Sequence, residues 1–369
     1  MNEKFLLMVL GPVAIESDIL EIGSFPQIYN RTIEFSNRLE KIYRNLQYVF
    51  QTKNPVIISA SSGTGMMESA VTNTLSKGDT VLFVNGGTFG DRWGKICSKH
   101  GIKTEEIRLS IGESVNPSII EKELIKNSNI KAVLITQNET STGALTDVEM
   151  IAKTVRKYPK TILIVDCVSS LLVEKMEMDN WGVDVVISAS HKALSIPPGL
   201  GLMSISPKAL GFAARSDLRT FYFDIFDYIE NWKRNQTPFT PPIGLVLQLE
   251  RRLEKVKKEG LEKIQERYSN NTIILRSGLA DLGLKILAKK PANCVSAVLV
   301  EDCDASEVVR VMSCKHNISI APSGSDLKAK LFRVGNFGDI EKEEIEAFLR
   351  ALKLTLEELR GSKESESRI

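Results

Sequence analysis

The chain has 369 residues, about twice the usual length of a single domain, so two domains are expected. Hydrophobic residues make up 43% and charged residues 25%, which is typical of a folded globular protein and excludes disorder as the main state. The 48 Lys and Arg residues nearly balance the 46 Asp and Glu residues, for a net charge of +2. This balance argues against nucleic acid or an anionic membrane as the main partner.

Cysteine and histidine usage adds further expectations. The five cysteines lie at wide spacings with no Cys-x-x-Cys pair, which favours reduced thiols and a cytoplasmic location. The three histidines are far apart, so no metal site built on imidazole is expected. The N-terminus lacks the basic start and small-residue cleavage site of a signal peptide. The longest apolar runs are too short to span a membrane, and no membrane association is expected.

From about residue 55 the chain alternates short apolar runs with helical patterns. The runs are rich in β-branched residues, which is typical of strands buried on both faces. Because parallel strands need crossover connections, the alternation predicts a mostly parallel sheet between helices, in a large domain over residues 1–242. The predicted strands are 55–60, 80–85, 131–137, 161–166 and 184–188, and the predicted helices between them are 66–75, 91–100 and 147–158.

A second, smaller domain is predicted for residues 243–369. After the proline-rich stretch 237–242 (TPFTPP), long charged helices are followed by short strands and further helices, which is typical of an α+β domain. A last helix carries an apolar face that includes Ile345, Phe348 and Leu352, and the polar tail 361–369 is expected to fray. The other predicted elements are helices 243–259, 261–282 and 305–315, and strands 296–300, 318–321 and 331–334.

The residues that follow each apolar run are the candidates for chemistry, because ligands of an open parallel sheet collect at the carboxyl ends of its strands. The first run leads into SSGTG at 61–65 and then a helix. Such residues expose N–H groups that bind phosphate, although an N-cap with a tight turn explains them equally well. The fourth run ends in Asp166, whose carboxylate either caps a turn or pairs with a buried cation.

The fifth run ends in SHK at 190–192, followed by a stiff Pro-Pro-Gly turn. Lys192 is either a solvated amine or a Schiff-base nucleophile, and His191 is expected to make a polar contact. The third run leads into QNETSTG at 137–143, a turn by composition that shares this sheet edge. Arg333, near the end of a short strand, suits either the capture of a carboxylate or a structural ion pair.

Eight short motifs follow one another along the chain: GP at 11–12, SGT at 62–64, GTFG at 87–90, ETSTG at 139–143, VD at 165–166, SHK at 190–192 with PPG at 197–199, TPFTPP at 237–242 and RVG at 333–335. In this order they resemble the class V aminotransferases that depend on pyridoxal 5'-phosphate (PLP), and most of all the alanine:glyoxylate and serine:pyruvate aminotransferase branch. The resemblance covers about residues 10–355. It implies fold type I of the PLP enzymes: a large domain with a mostly parallel seven-stranded sheet between helices, and a smaller C-terminal α+β domain. It also implies that the N-terminal segment extends over the small domain or a partner subunit.

The resemblance further implies a role for each matching residue. Lys192 would hold the cofactor and act as the catalytic base, Asp166 would pair with its pyridine nitrogen, and Arg333 would bind the substrate α-carboxylate. The other implied contacts are Ser62, Gly63, Thr64 and His191 at the phosphate, Phe89 stacked on the ring, Thr140 or Ser141 at the 3-oxygen, Ser141 and Gly11 facing the substrate, and Thr237 and Thr240 at the phosphate of the neighbouring subunit. The last pair implies a homodimer with shared active sites. Relatives often have histidine at the position of Thr64, glutamine at that of His191 and tryptophan at that of Phe89.

The expected activity is transfer of an amino group from serine or alanine to pyruvate or glyoxylate by a ping-pong mechanism. Other reactions of the family stay open: an aspartate or 2-aminoethylphosphonate aminotransferase, and a cysteine desulfurase or lyase. A desulfurase needs a nucleophilic cysteine on a mobile loop, whereas Cys314 lies in a predicted helix. A non-catalytic Rossmann-like binding protein is a further alternative, on the faint hint of Gly86-Gly87 followed by Gly90.

Overall fold

A seven-stranded sheet forms the centre of the protein in the computed structural model, which describes residues 5–324 and 327–366. In spatial order the strands are β2 (Val56–Ala60), β10 (Leu200–Ile205), β9 (Val185–Ala189), β8 (Ile162–Asp166), β5 (Ile130–Thr136), β3 (Thr80–Asn85) and β4 (Lys103–Arg108). Neighbouring strands run parallel except β10, which is antiparallel to both β2 and β9. The predicted α/β fold with a mostly parallel seven-stranded sheet is therefore confirmed.

Helices cover both faces of this sheet. In β3, Leu82 and Val84 face one apolar layer while Val81 and Phe83 face the other, as the two-residue period of a strand requires. The helices of this part are α1 (Ser17–Ile22), α2 (Ile33–Phe50), α3 (Gly63–Thr74), α4 (Thr88–Lys99), α5 (Pro117–Lys126), α6 (Val148–Val155), α7 (Met178–Trp181), α8 (Pro207–Ala213) and α9 (Ile225–Trp232). None of the helices in the described residues is both long and apolar enough to cross a membrane.

A second sheet lies in the C-terminal part and has its own apolar core. In spatial order its strands are β1 (Leu6–Met8), β13 (Ile318–Pro322), β14 (Leu331–Gly335), β12 (Val295–Leu299) and β11 (Lys285–Ile286). Helices α11 (Leu261–Asp281), α12 (Ala305–His316) and α13 (Lys342–Glu366) pack on it, and α10 (Ile243–Glu259) precedes them. Because β1 pairs with β13, the N-terminal segment crosses from this sheet to the large one. The domain boundary at residue 242 stays a prediction.

Two strands of the large sheet had no counterpart in the predicted elements. The sequence of β4 (KTEEIR) is polar, because the strand lies at the sheet edge and buries only Ile107. In β10, Gly201 lies where a side chain would collide with Met66. A glycine that follows a Pro-Pro-Gly turn is typical of a loop, so the sequence did not indicate this strand. At the other end of the chain, α13 continues to Glu366, past Gly361 where the tail was expected to fray; residues 367–369 lie outside the described residues.

A buried ion cluster ties the two sheets together. Arg252 of α10 donates from Nη1 to Glu16 (3.1 Å) and to Asp339 (2.8 Å), and from Nη2 to the carbonyl of Ala193 (3.3 Å). A buried guanidinium is tolerated only when it is paired and hydrogen-bonded in this way. The cluster therefore joins the N-terminal segment, α10, the loop after β14 and the residue that follows Lys192.

Candidate active site

The carboxyl ends of β2, β8 and β9 meet at one edge of the large sheet, since these strands share one direction. A cleft of about 300 Å³ opens at this edge. Its lining includes ten of the residues singled out from the sequence: Gly11, Ser62, Gly63, Thr64, Phe89, Thr140, Asp166, His191, Lys192 and Arg333. Residues from seven separate motifs, spread over most of the chain, thus share one cleft.

One wall of the cleft is the N-terminus of α3. Ser62 is its N-cap, and the Ser62 hydroxyl accepts a hydrogen bond from the N–H of Gly65 at 3.2 Å. A Cβ on Gly63 would lie 2.6 Å from a methyl group of Val168, so only glycine lets the helix start this close to the segment after Asp166. The first N–H groups of the helix have no partner within the helix and point toward the cleft, which makes this wall suited to an anion.

Asp166 ends β8 and is 3% exposed. Its Oδ1 accepts a hydrogen bond from the N–H of Val168 at 2.8 Å. Burial raises the pKa of Asp166 to about 6, and the negative charge of Glu139 acts in the same direction. The positive charges of Lys192 and Arg92 lower this pKa. A buried carboxylate of this kind is stabilised by a cationic partner inside the cleft.

Lys192 lies three positions beyond β9 and is 7% exposed. Its Nζ donates to the carbonyl of Leu10 and lies 5.3 Å from the ring centroid of Phe337. Burial lowers the pKa of Lys192 to about 8; Asp166 raises this pKa, and Arg333 lowers it. An amine with such a pKa has a substantial neutral fraction slightly above neutral pH, and the neutral form acts as a nucleophile or base.

Gly11 and His191 flank this lysine. A Cβ on Gly11 would lie 3.0 Å from the carbonyl oxygen of His191 and 3.1 Å from Cδ of Lys192, and the φ of Gly11 is +113°. Both facts require glycine where the N-terminal segment passes over the lysine. Burial, together with the charge of Lys192, lowers the pKa of His191 and so disfavours the charged form of its imidazole.

Glu139 holds the start of α4 at the cleft. Its buried carboxylate accepts hydrogen bonds from the N–H groups of Phe89 (3.1 Å) and Gly90 (2.9 Å), in the first turn of α4, and of Ser141 (3.1 Å). A carboxylate at a helix N-terminus is favoured by the helix dipole and satisfies its unpaired donors. Glu139 thereby fixes the position of Phe89 at the cleft.

Arg333 reaches the cleft from β14 of the second sheet. Its Nη1 donates to the carbonyl of Thr140 (3.3 Å) and its Nη2 to the carbonyl of Pro322 (2.6 Å). Its Nε is buried and has no hydrogen-bond partner among the described residues. Burial lowers the pKa of Arg333, with Glu139 acting in the opposite direction. A half-buried guanidinium with a spare donor at Nε favours a carboxylate ligand over a purely structural role.

Three predicted site residues do not line the cleft. The Ser141 hydroxyl donates to Glu139 and accepts from the N–H of Thr88 (3.1 Å), so this side chain braces the start of α4. Thr237 is buried, and its hydroxyl donates to the carbonyl of Phe239 (2.7 Å). Thr240 is exposed on the surface. Their roles toward a cofactor stay predictions.

The cleft also has lining residues that sequence reasoning missed: Leu10, Met67, Arg92, Asn138, Val168 and Ser169. Arg92 lies three positions after Phe89 on α4, a spacing that places two side chains on one helix face and was a usable signal. The hydroxyls of Ser169 and Thr140 share a hydrogen bond at 2.7 Å across the cleft floor. No sequence signal pointed to Ser169, because its contact depends on the register of separate strands.

Comparison with known proteins identifies the family. A sequence model of the family described as aminotransferase class-V matches residues 23–336 of the chain. The chain belongs to this family. The resemblance drawn from the ordered motifs is confirmed, and the chain is an aminotransferase rather than a non-catalytic binding protein.

Three similar proteins illustrate the range of names within the family. This aminotransferase is 36% identical over 364 residues to a protein of Synechococcus sp. named soluble hydrogenase, small subunit, covering 97% of this chain and 94% of that protein. It is 33% identical over 349 residues to the L-aspartate–glyoxylate aminotransferase of Paracoccus denitrificans, covering 92% and 88% of the two chains. The crystal structure of an alanine–glyoxylate aminotransferase from Nostoc sp. matches it with a TM-score of 0.92 at 27% identity, covering 96% of each chain.

The depressed pKa of Lys192 predicts how its reactivity depends on pH. In labelling of the cofactor-free protein with an amine-specific acylating reagent, read out peptide by peptide by mass spectrometry, the rate at Lys192 should rise with a midpoint near pH 8. An unperturbed lysine rises near its usual pKa of about 10.4. In Asp166→Asn the midpoint should move lower still, because the carboxylate charge that favours the ammonium form is lost. A midpoint near 10 in the wild-type protein would contradict the burial argument.

Proposed function

We propose that this aminotransferase transfers an amino group from a small neutral amino acid, serine or alanine, to glyoxylate or pyruvate, with PLP as cofactor and by a ping-pong mechanism. The observation that carries the proposal is the cleft itself. It joins a buried lysine with a lowered pKa, a buried carboxylate with a raised pKa, and a half-buried arginine with a spare donor. Opposed pKa shifts within one cleft are typical of a catalytic site.

The residues of the cleft fit PLP in three respects. The N-terminus of α3 offers unpaired N–H groups and the Ser62 and Thr64 hydroxyls to a phosphate. Asp166 offers a buried negative charge to a protonated pyridine nitrogen, the partner that stabilises its charged form. Lys192 offers an amine to the aldehyde carbon. When bound, PLP supplies a ring that accepts electrons and so stabilises negative charge at the α-carbon of the amino acid.

The protein's own side chains perform the rest of the reaction. The neutral Nζ of Lys192 takes a proton from the α-carbon of the amino donor, which its lowered pKa allows. In the second half of the reaction it delivers a proton to the α-carbon of the acceptor. The Leu10 carbonyl is an acceptor that holds the ammonium form in place. Arg333 binds the α-carboxylate of donor and acceptor alike, so that both substrates present the same carbon to Lys192.

Support for a small acceptor comes from the relatives. The proteins of Paracoccus and Nostoc are both named for glyoxylate as a substrate. These names favour glyoxylate as the acceptor, and the name of the Nostoc protein favours alanine as the donor.

Aspartate is a second candidate donor. The relative from Paracoccus is named for it, and a second arginine, Arg92, lines the same cleft as Arg333. A donor with two carboxylates needs a second cation, and Arg92 is the cation available for it.

Cysteine desulfuration has less support. Cys314 is exposed on α12 and does not line the cleft. Cys294 is fully buried, where its Sγ accepts a hydrogen bond from Asn138, and burial raises its pKa. A thiol held protonated in this way is a poor nucleophile. Cys97, Cys167, Cys294 and Cys314 are free thiols, which favours a cytoplasmic location as part of the proposal.

A donor and acceptor screen tests the proposed reaction. Alanine and serine with glyoxylate or pyruvate should give turnover at least about tenfold more efficient than aspartate, with parallel double-reciprocal lines. Lys192→Ala is the matched inactive control and should lower kcat by about 100-fold or more, because the proton-transfer group is lost. Aspartate as the best donor would establish the second candidate, and no transfer from any donor would overturn both.

Replacing Arg333 tests the carboxylate site. Arg333→Ala should lower kcat/KM by about 10- to 100-fold for every amino donor, because each donor loses the same charge-assisted hydrogen bonds. Arg333→Lys should have a kcat/KM between those of the wild type and Arg333→Ala, since lysine keeps the charge without the planar fork. If the loss affected one donor only, Arg333 would recognise a side chain instead of the shared α-carboxylate.

A homodimer with shared active sites completes the proposal. Exposed aromatic residues surround Thr240: Phe221 is 82% exposed and lies 5.7 Å, ring to ring, from Phe239, which also stacks on Tyr222 at 5.1 Å. An exposed aromatic cluster of this kind marks a protein contact surface. A second copy of the chain, with its Thr240 at the cleft of the first, is the partner that the predicted roles of Thr237 and Thr240 require.

Subunit complementation tests the shared site. Lys192→Ala and Thr240→Asp should each be nearly inactive alone, the second because a carboxylate repels the phosphate. Co-expressed with different tags, the two variants should recover about one quarter of wild-type activity as a random mixture and about one half as purified mixed dimers, because each mixed dimer contains one intact site of two. No recovery in purified mixed dimers would place each complete site within a single chain.

A further inference from the structure

We propose that Arg92 supplies the positive charge that binds the cofactor phosphate. The inference rests on the proposed use of PLP and adds a residue to the anion-binding wall at the N-terminus of α3. It assigns Arg92 to the cofactor rather than to a second carboxylate of the substrate.

The position of the guanidinium carries the proposal. Nη1 of Arg92 donates to Oγ1 of Thr64 at 2.8 Å, and Thr64 is the second residue of α3. Both residues line the cleft. Arg92 is therefore attached to the wall that presents its unpaired N–H groups to an anion. Its charge is also felt inside the cleft, where it lowers the pKa of Asp166.

The charges around this wall point the same way. A phosphate monoester carries about −1.5 to −2 charge at pH 7, and a half-buried cleft cannot hold such a charge without a compensating cation. Ser62, Gly63 and Thr64 contribute only dipoles, and burial together with the charge of Lys192 lowers the pKa of His191, which disfavours its charged form. The cations among the residues that line the cleft are Lys192, Arg333 and Arg92.

Only Arg92 of these three cations is bonded to the α3 wall. Lys192 is held by the Leu10 carbonyl, and Arg333 is held by the carbonyls of Thr140 and Pro322. Glu139 fixes Arg92 indirectly, because its hydrogen bonds to the N–H groups of Phe89 and Gly90 anchor the first turn of α4. The guanidinium is thus placed at the phosphate end before any ligand arrives.

Arg92 also lies against Phe89, with its guanidinium carbon 4.7 Å from the ring centroid. This is the distance of a cation–π contact. It gives Arg92 a second way to affect the cofactor, through the orientation of the ring predicted to stack on it. An experiment on Arg92 therefore has to separate a phosphate contact from a stacking contact.

Comparing PLP with pyridoxal, which lacks the phosphate, separates the two. The dissociation constant of each is measured by titration of the apoprotein, with intrinsic fluorescence as the readout. Arg92→Gln should weaken PLP about 10- to 100-fold, the usual loss of a charge-assisted hydrogen bond, and leave pyridoxal within about twofold. Arg92→Lys should show an intermediate loss, because it keeps the charge without the fork.

Lys95→Gln is the matched control. Lys95 lies on the same helix, is 77% exposed and pairs with Asp91, so its loss removes an equal charge without touching the cleft. It should leave both dissociation constants unchanged. Inorganic phosphate should compete with PLP for the wild-type protein and compete less well for Arg92→Gln.

Three other outcomes overturn the assignment. Equal losses for PLP and pyridoxal would show that Arg92 acts through Phe89. Unchanged cofactor binding with a raised KM for aspartate would assign Arg92 to the distal carboxylate of the substrate. If the wild-type protein bound neither compound, the proposed cofactor and Arg92's role would both fail. A loss confined to PLP, without transamination of any donor, would support Arg92 while contradicting the proposed reaction.

Discussion

Burial of the Lys192 amine is the constraint on which the site depends. A lysine removed from water needs acceptors and an opposing charge, and the fold supplies them from three distant segments: the Leu10 carbonyl, the Asp166 carboxylate and the Phe337 ring. The compensation is incomplete, because the pKa of Lys192 still falls to about 8. The lowered pKa allows the amine to react, since a lysine whose burial was fully offset by nearby negative charge would stay protonated and could not act as a nucleophile or base.

The position of α4 at the cleft depends on a buried negative charge held by main-chain donors. Glu139 is satisfied by three N–H groups, two of them from the start of α4. Because backbone donors have little freedom, they fix the carboxylate and the helix together. Precision at the cleft thus comes from polar groups that do not themselves line it, with the two sheets joined behind them by Arg252.

Residues at strand ends could be predicted because strand direction alone brings them to one edge. Asp166 and Lys192 each follow a buried run, and no tertiary information is needed to place them there. The polar edge strand β4 and the glycine-containing β10 escaped prediction because their neighbours, rather than their own composition, make them strands. Ser141 matched a motif, yet its hydroxyl is occupied by Glu139. Arg92 was missed because its position at the cleft involves a hydrogen bond to Thr64, a residue on another helix.

The passage of the N-terminal segment between the two sheets has a consequence for the order of events during synthesis. Leu6 pairs with Ile318, and two residues beyond β1 the carbonyl of Leu10 accepts from Lys192. The large sheet can form while the ribosome is still translating the C-terminal third, but β1 then has no partner strand. The segment around β1 therefore reaches its final position only after Ile318–Pro322 has been synthesised, and Lys192, made much earlier, is covered by Leu10 only then.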